Sequence, residues 1–231
     1  MRLIHPFTIL TTAALVVTGC GVNKSIYIAD GETVSGGRAT VNGSVHIGSD
    51  CTVRGDCRTV NGRVTVGAGS NVGGLKTVNG SITTEDGVSI DGEMATVNGA
   101  IRLAENTSVK GEVETVNGSI SCGTGDTISD DLTTVNGSIR LVRTEVGGSL
   151  STVNGSVTLA DGSRVLGDIV IRGKPPKFGG NKELEIAISD GSVVEGDIVV
   201  RDSRRRVRVI LSGGGKVLGE VKNAEVTTVD S

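Results

Sequence analysis

Aromatic side chains are almost missing from this 231-residue chain, which has no Trp, one Tyr and two Phe. Rings supply large core volumes and the platforms on which sugars and bases stack. Their scarcity implies a thin core of Val, Ile and Leu and argues against recognition by ring stacking. Histidine is as scarce, with only His5 and His46, too few to share a metal or to build a Ser-His-Asp triad around. Three prolines accompany 36 glycines, so the glycine serves turns and not a proline-rich linker. There is no basic excess, with 23 Lys+Arg against 26 Asp+Glu. The chain therefore lacks the field that nucleic acid requires. No stretch shows the 3.6-residue helical period, and no cofactor is expected.

What is present is a repeat. Thr-Val-Asn-Gly occurs seven times, starting at Thr40, Thr59, Thr77, Thr96, Thr115, Thr134 and Thr152, at intervals of 18 or 19 residues. A unit this short cannot bury a core of its own. It belongs to a solenoid in which each repeat is one coil stacked on its neighbours.

Numbering each coil from its threonine as zero exposes the columns. Position 5 is Val or Ile in every coil, from Val45 to Val157, and position 7 is mostly aliphatic. Position 13 holds Val53, Val72, Ile90, Val109, Ile128 and Val165, and position 17 holds Cys57, Met94, Val113, Leu132 and Ile169. Spacing by two is strand alternation. The expectation is a parallel strand ladder between coils, with these columns and the invariant Val at position 1 facing inward. Asn-Gly at positions 2 and 3 reads as a left-handed corner. The corner asparagines Asn42, Asn61, Asn79, Asn98, Asn117, Asn136 and Asn154 then form an axial amide ladder. Thr at 0 and Ser at 4 read as outward polar rows, a surface for ice or crystalline polysaccharide were it not roughened by His46, Thr65, Arg102 and Arg140.

The same grid finds degenerate coils on both sides. Gly21-Val22-Asn23 opens one before the first full motif. Beyond Val153 the second half of the unit persists as Val165-Leu166-Gly167-Asp168-Ile169, Val194-Glu195-Gly196-Asp197-Ile198 and Val217-Leu218-Gly219-Glu220-Val221. Extra length there falls at 174–182 and around Arg201 to Leu211. The fold expected is all-β, a single-stranded parallel β-helix of about ten coils of 18–19 residues, right-handed, with three short faces in triangular cross-section. At strand spacing it is a rod of roughly 45–50 Å.

The first residues are a targeting segment. Arg2 precedes an apolar run from Phe7 that is too short to span a bilayer, and Val17-Thr18-Gly19-Cys20 resembles a bacterial lipobox. That resemblance implies cleavage before Cys20 and acylation of its thiol and amine, giving a membrane-anchored lipoprotein at the periplasmic side or cell surface. Two or three acyl chains, at roughly 0.8 kcal/mol per buried methylene, hold such a protein stably on a membrane. The divisions expected are 1–19 signal peptide, 20–222 β-helix and 223–231 terminal strand or tail. Loss of Arg2 leaves 22 basic residues against 26 acidic ones.

The Val-x-Gly-Asp/Glu-Ile/Val unit resembles bactofilins, bacterial polymer-forming proteins with a right-handed parallel β-helix. Val-Asn-Gly-Ser-Ile is similar to β-solenoids grouped as adhesins. The resemblance implies a fold and no catalytic residue set. The lipobox departs from cytoplasmic bactofilins and argues against a cytoskeletal role. Left-handed hexapeptide helices are the fold competitor, since positions 1, 7 and 13 are six apart, but they lack the nineteenth residue.

Candidate chemistry is sparse. Cys51 and Cys57 share one coil, and export permits a disulfide between them; Cys122 occupies a core column. Asp56, Glu93, Glu112, Asp131, Asp168, Asp197 and Glu220 form an acidic column at position 16. It reads as a solvated edge relieved by nearby bases in preference to a Ca²⁺ or Mg²⁺ site. Gly123-Thr124-Gly125-Asp126 matches a single calcium-binding nonapeptide, without the tandem copies such sites need. Arg201, Arg204, Arg205, Arg206 and Arg208 are the one basic cluster, a candidate for binding phosphate or anionic glycan or a guard against edge aggregation. The expected function is a lipid-anchored, non-enzymatic structural or adhesive β-helix of the bacterial envelope, self-assembling into oligomers or filaments. The alternatives are an envelope glycan-binding module and a polysaccharide-processing β-helix enzyme.

Overall fold

The computed structural model describes residues 22–173 and 183–229. The signal segment, Cys20 and the loop at 174–182 lie outside the described residues. Every regular element among the described residues is a β-strand, two to six residues long. The strands sort into three parallel sheets of eleven, ten and ten members, and neighbours in each sheet come from successive coils. The first sheet runs from Ile26–Ile28 to Glu225–Val229, the second from Thr33–Ser35 to Lys216–Val217, the third from Arg38–Thr40 to Val221–Lys222. Ten coils each visit the three sheets in turn, and one last strand follows, so the parallel β-helix expected from the repeat is the architecture observed.

Register follows the columns. Val64, Ile82, Ile101, Ile120, Ile139, Val157, Ile186 and Val209 are successive Cα partners in the first sheet. Asn117 N–H donates to the Val97 carbonyl at 2.7 Å, which puts Val97 and Val116 on adjacent rungs. Positions 5, 13 and 17 are buried throughout, from Val45, Val53 and Cys57 to Val157, Val165 and Ile169. Each rung therefore adds three or four aliphatic side chains to one continuous interior, which supplies the hydrophobic drive that no single coil has.

Two corner expectations are corrected. Val at position 1 does not face inward: Val41, Val60, Val78, Val97, Val116, Val135 and Val153 are half-buried on the outside of the corner. The threonine before each is the buried residue, with Thr96 3% and Thr115 0% exposed. Strand alternation explains this, because Met94, Ala95 and Thr96 run in, out, in. Six of the seven hydroxyls, all but that of Thr152, donate across the interior side of the corner to a carbonyl of the preceding coil, as Thr96 to Gly80 at 2.8 Å, Thr115 to Gly99 at 2.8 Å and Thr134 to Gly118 at 2.9 Å. The motif threonines therefore make no outward array for ice or crystalline polysaccharide.

Nor is Asn-Gly a left-handed corner. In the Thr-Val-Asn-Gly coils positive φ recurs instead near position 10, at Asp50, Gly69, Gly87, Asn106, Gly125, Gly162 and, in a coil one residue short, Arg143. The glycine of Thr-Val-Asn-Gly is needed for a different reason. A Cβ on any of Gly43, Gly62, Gly80, Gly99, Gly118, Gly137 or Gly155 would come within 2.5 Å of the carbonyl oxygen one rung below. Backbone packs on backbone at that edge, and only hydrogen fits.

Both long coils place their extra residues at this same corner, between Ile171 and Leu184 and between Val200 and Val207. The strands on either side keep their register. The elaborated part of the rod is therefore one edge near its C-terminal end.

Candidate functional site

The corner that carries the insertions also carries the asparagines. Asn42 Nδ2 donates to Asn23 Oδ1, and Asn61, Asn79, Asn98, Asn117, Asn136 and Asn154 each donate to the asparagine one rung earlier, at 2.8–2.9 Å. Asn23 belongs to this line although its corner lacks the full motif. All the amide dipoles point the same way, so neighbours polarise one another. The line ends with Asn154 Oδ1, which accepts from Arg205 Nη2 at 3.2 Å.

Arg205 is thus set apart from the other arginines of its cluster. Its side chain is 5% exposed and reaches back from the 201–206 loop toward the end of the ladder. Arg204 grips Asp202 with two bonds, Nε to Oδ1 at 2.9 Å and Nη2 to Oδ2 at 2.6 Å. Arg208 pairs with Glu183 at 2.9 Å. Arg201 and Arg206 are exposed on the loop. A groove at this end is lined by Glu183, Ser203, Arg205, Arg206, Asn223 and Glu225.

The acidic column works largely as a set of backbone staples. One carboxylate oxygen accepts the N–H of the coil above: Asp56 from Gly74 at 2.9 Å, Asp131 from Ser149 at 2.7 Å, Asp168 from Asp197 at 2.8 Å and Asp197 from Glu220 at 2.9 Å. The second oxygen meets a base in Asp56 with Arg58 and in Asp197 with Lys222, and Glu93 pairs with Lys76. Burial raises the Asp56 pKa, but Arg58 and the Gly74 N–H outweigh it and hold the carboxyl below its usual value. Lys222 lowers that of Asp197 through its hydrogen bond, helped by the Glu220 N–H. In mid-rod, burial and then the neighbouring Glu114 push Glu112 up. Among the described residues no group of three or more His, Cys, Asp or Glu is arranged to hold a metal ion.

Asp126 has an internal role that composition alone did not reveal. It is 1% exposed at position 11, a buried column otherwise filled by Cys51, Ser70, Val88, Thr107, Thr144 and Ser163. Its two oxygens accept from Thr107 N at 2.8 Å and Gly123 N at 2.6 Å. Burial drives its pKa up to about 6 against those two donors, with the Glu105 and Asp86 charges adding to the rise. The match of residues 123–126 to a calcium nonapeptide is thus a carboxylate whose lone pairs already satisfy backbone at the left-handed corner.

Cys51, Cys57 and Cys122 are free and buried. Cys51 and Cys57 sit in different columns, and Cys51 Sγ donates to the Ala29 carbonyl at 3.1 Å. Burial raises the Cys57 thiol to about 11 and Cys122 higher still, so neither supplies thiolate at neutral pH. His46 lies on the outside, bonded through Nδ1 to Thr65 Oγ1 at 2.8 Å and stacked on Tyr27 with ring centroids 4.8 Å apart. No helix among the described residues is long and apolar enough to cross a membrane. No protein-family model, curated protein or solved structure matches the chain.

Proposed function

We propose that this chain is a non-enzymatic β-helical rod of the bacterial cell envelope, tethered to a membrane through acyl chains on Cys20 and serving a structural or adhesive purpose. The observation that carries the reading is how the repeat uses its polar groups. Catalysis and tight ligand binding require functional groups held in place and left available. Here the recurring hydroxyls and amides are consumed in bonds between coils, Thr96 to Gly80 and Asn98 to Asn79 among them. Seven near-identical rungs that differ mainly in outward residues make a spacer of fixed length. The resemblance to polymer-forming bactofilins and adhesin-like solenoids agrees with that use, and the lipobox supports a location outside the cytoplasm.

Self-assembly is part of the proposal. Among the described residues Glu225–Val229 is the last strand of its sheet with one edge unpaired, and Val226, in register with the inward Val209, is 47% exposed there. Exposed apolar strand edges favour association. The anchor is tested by growing cells with an alkyne analogue of palmitate. Label on the intact chain and none on the Cys20→Ala variant is the expected result; equal labelling, or none on either, contradicts the anchor. Sedimentation velocity on chain lacking the lipid tests assembly. Concentration-dependent species are expected, and a strict monomer over a wide range removes that part of the reading.

A further inference from the structure

Register makes Val153, Arg172 and Arg201 equivalent residues on three successive rungs, since each follows one of the partners Thr152, Ile171 and Val200. Arg172 N donates to Thr152 O at 2.7 Å and Arg201 N to Ile171 O at 3.0 Å. The outward valine column of the corner therefore becomes an arginine column where the asparagine ladder stops. Arg205 adds a third guanidinium, fixed by its bond to Asn154. Like charges on adjacent rungs, about 4.8 Å apart, repel unless an anion lies between them.

Among the described residues Arg172, Arg201 and Arg205 form no ion pair with a carboxylate. Glu183 and Asp202 are engaged by Arg208 and Arg204. Residues 174–182 contain three lysines and no acid. Meanwhile the buried side-chain nitrogens without a hydrogen-bond partner among the described residues are the Nε atoms of Arg172 and Arg205. A third unpartnered atom, Thr152 Oγ1, is buried at the same corner. A buried guanidinium N–H left unbonded costs more than an average hydrogen bond contributes, and both such groups occur at one corner of a structure that satisfies its other corners.

We propose that Arg172, Arg201 and Arg205 form a binding site for an oxyanion, a phosphate or a carboxylate, at the C-terminal end of the asparagine ladder. The guanidinium fork offers paired N–H donors to either group. The Arg205–Asn154 bond orients one fork, and the rung spacing sets the next beside it. The site goes beyond the rod reading and does not depend on the lipid anchor, because a rod without acyl chains keeps the same corner.

Isothermal titration of the full-length chain tests it, with inorganic phosphate in one arm and trigalacturonate in the other at fixed chloride. Saturable binding at one site per chain is expected in at least one arm, and the arm that binds names the source of the oxyanion. Arg172→Gln and Arg201→Gln should each weaken it about tenfold or more, the loss typical of one charge-assisted contact. Arg140→Gln, on another face, should leave it within about twofold. Circular dichroism confirms that the variants fold; Arg201, exposed on its loop, keeps the test open should Arg172 prove necessary for folding. No saturable binding in either arm, or equal weakening by Arg140→Gln, overturns the site.

Discussion

At Gly118 the motif and the fold meet in a single hydrogen atom, because a methyl there would strike the Gly99 carbonyl of the rung below. Gly118→Ala should therefore destabilise by about 2–3 kcal/mol, the cost of forced overpacking. Gly87→Ala offers the contrast. Its φ is +69°, and a Cβ would meet nothing closer than 3.9 Å, so only left-handed strain of about 1 kcal/mol is expected. Urea denaturation of the two variants separates close approach from backbone conformation. Asp126 sets a second residue-scale expectation. Its folded pKa, about 6, lies above the ordinary 3.8, so the folded state holds the proton more tightly than the unfolded chain. Stability from this group is complete below pH ~4 and is lost as pH rises through ~6. Burial similarly raises Glu112 and Glu114, which adds the same sign, whereas Asp56 is lowered and acts oppositely. Asp126→Asn should remove most of the fall in urea midpoint between pH 4 and 7. A variant with the wild-type slope would show that another group carries it.

The strands and their inward columns were legible because burial on a narrow solenoid leaves little choice: positions 5, 13 and 17 alternate in register with their coil neighbours, and each is aliphatic or sulfur-bearing. Corners were harder. Parity from Met94 through Ala95 makes Thr96 an inward residue, yet valine is the apolar member of Thr-Val-Asn-Gly and draws the eye to the wrong position. The threonine is tolerated inside because a carbonyl awaits its hydroxyl, a partner that no property of the residue itself announces. The reason for the glycine was hidden similarly, since a left-handed turn and a close backbone approach both select it. At the insertion corner the arginine cluster was visible as composition, but not that Arg205 ends the amide ladder while Arg204 and Arg208 hold carboxylates. Asp126 was hidden too, its column signalled only by small polar residues at position 11. The column account predicts that Ile120→Ala, at 0% exposure between Ile101 and Ile139, costs about 2–4 kcal/mol by opening a cavity in a core too thin to collapse around it. Ser121, the outward neighbour on the same strand, should tolerate Ala within about 0.5 kcal/mol in the same urea measurement.

As a whole the molecule is a stack in which each coil contacts its two neighbours, so length, polarity and the placing of any site follow from coil order. The elaborated corner with Arg172, Arg201 and Arg205 lies toward the C-terminal end of the stack, far from its first strand, Ile26–Ile28. The claim on which all of this rests is that each recurrence advances the chain by one rung. Spin labels on outward residues of a single sheet measure it directly by pulsed electron resonance. His46, Thr65, Thr83, Arg102, Ser121, Arg140 and Thr158 form one column, and the buried native thiols stay unlabelled. Cysteines at positions 46 and 140 should lie about 24 Å apart, and at 46 and 158 about 29 Å apart, growing by ~4.8 Å per coil. Separations that do not increase from the first pair to the second, or that exceed one rung per recurrence several-fold, would contradict it.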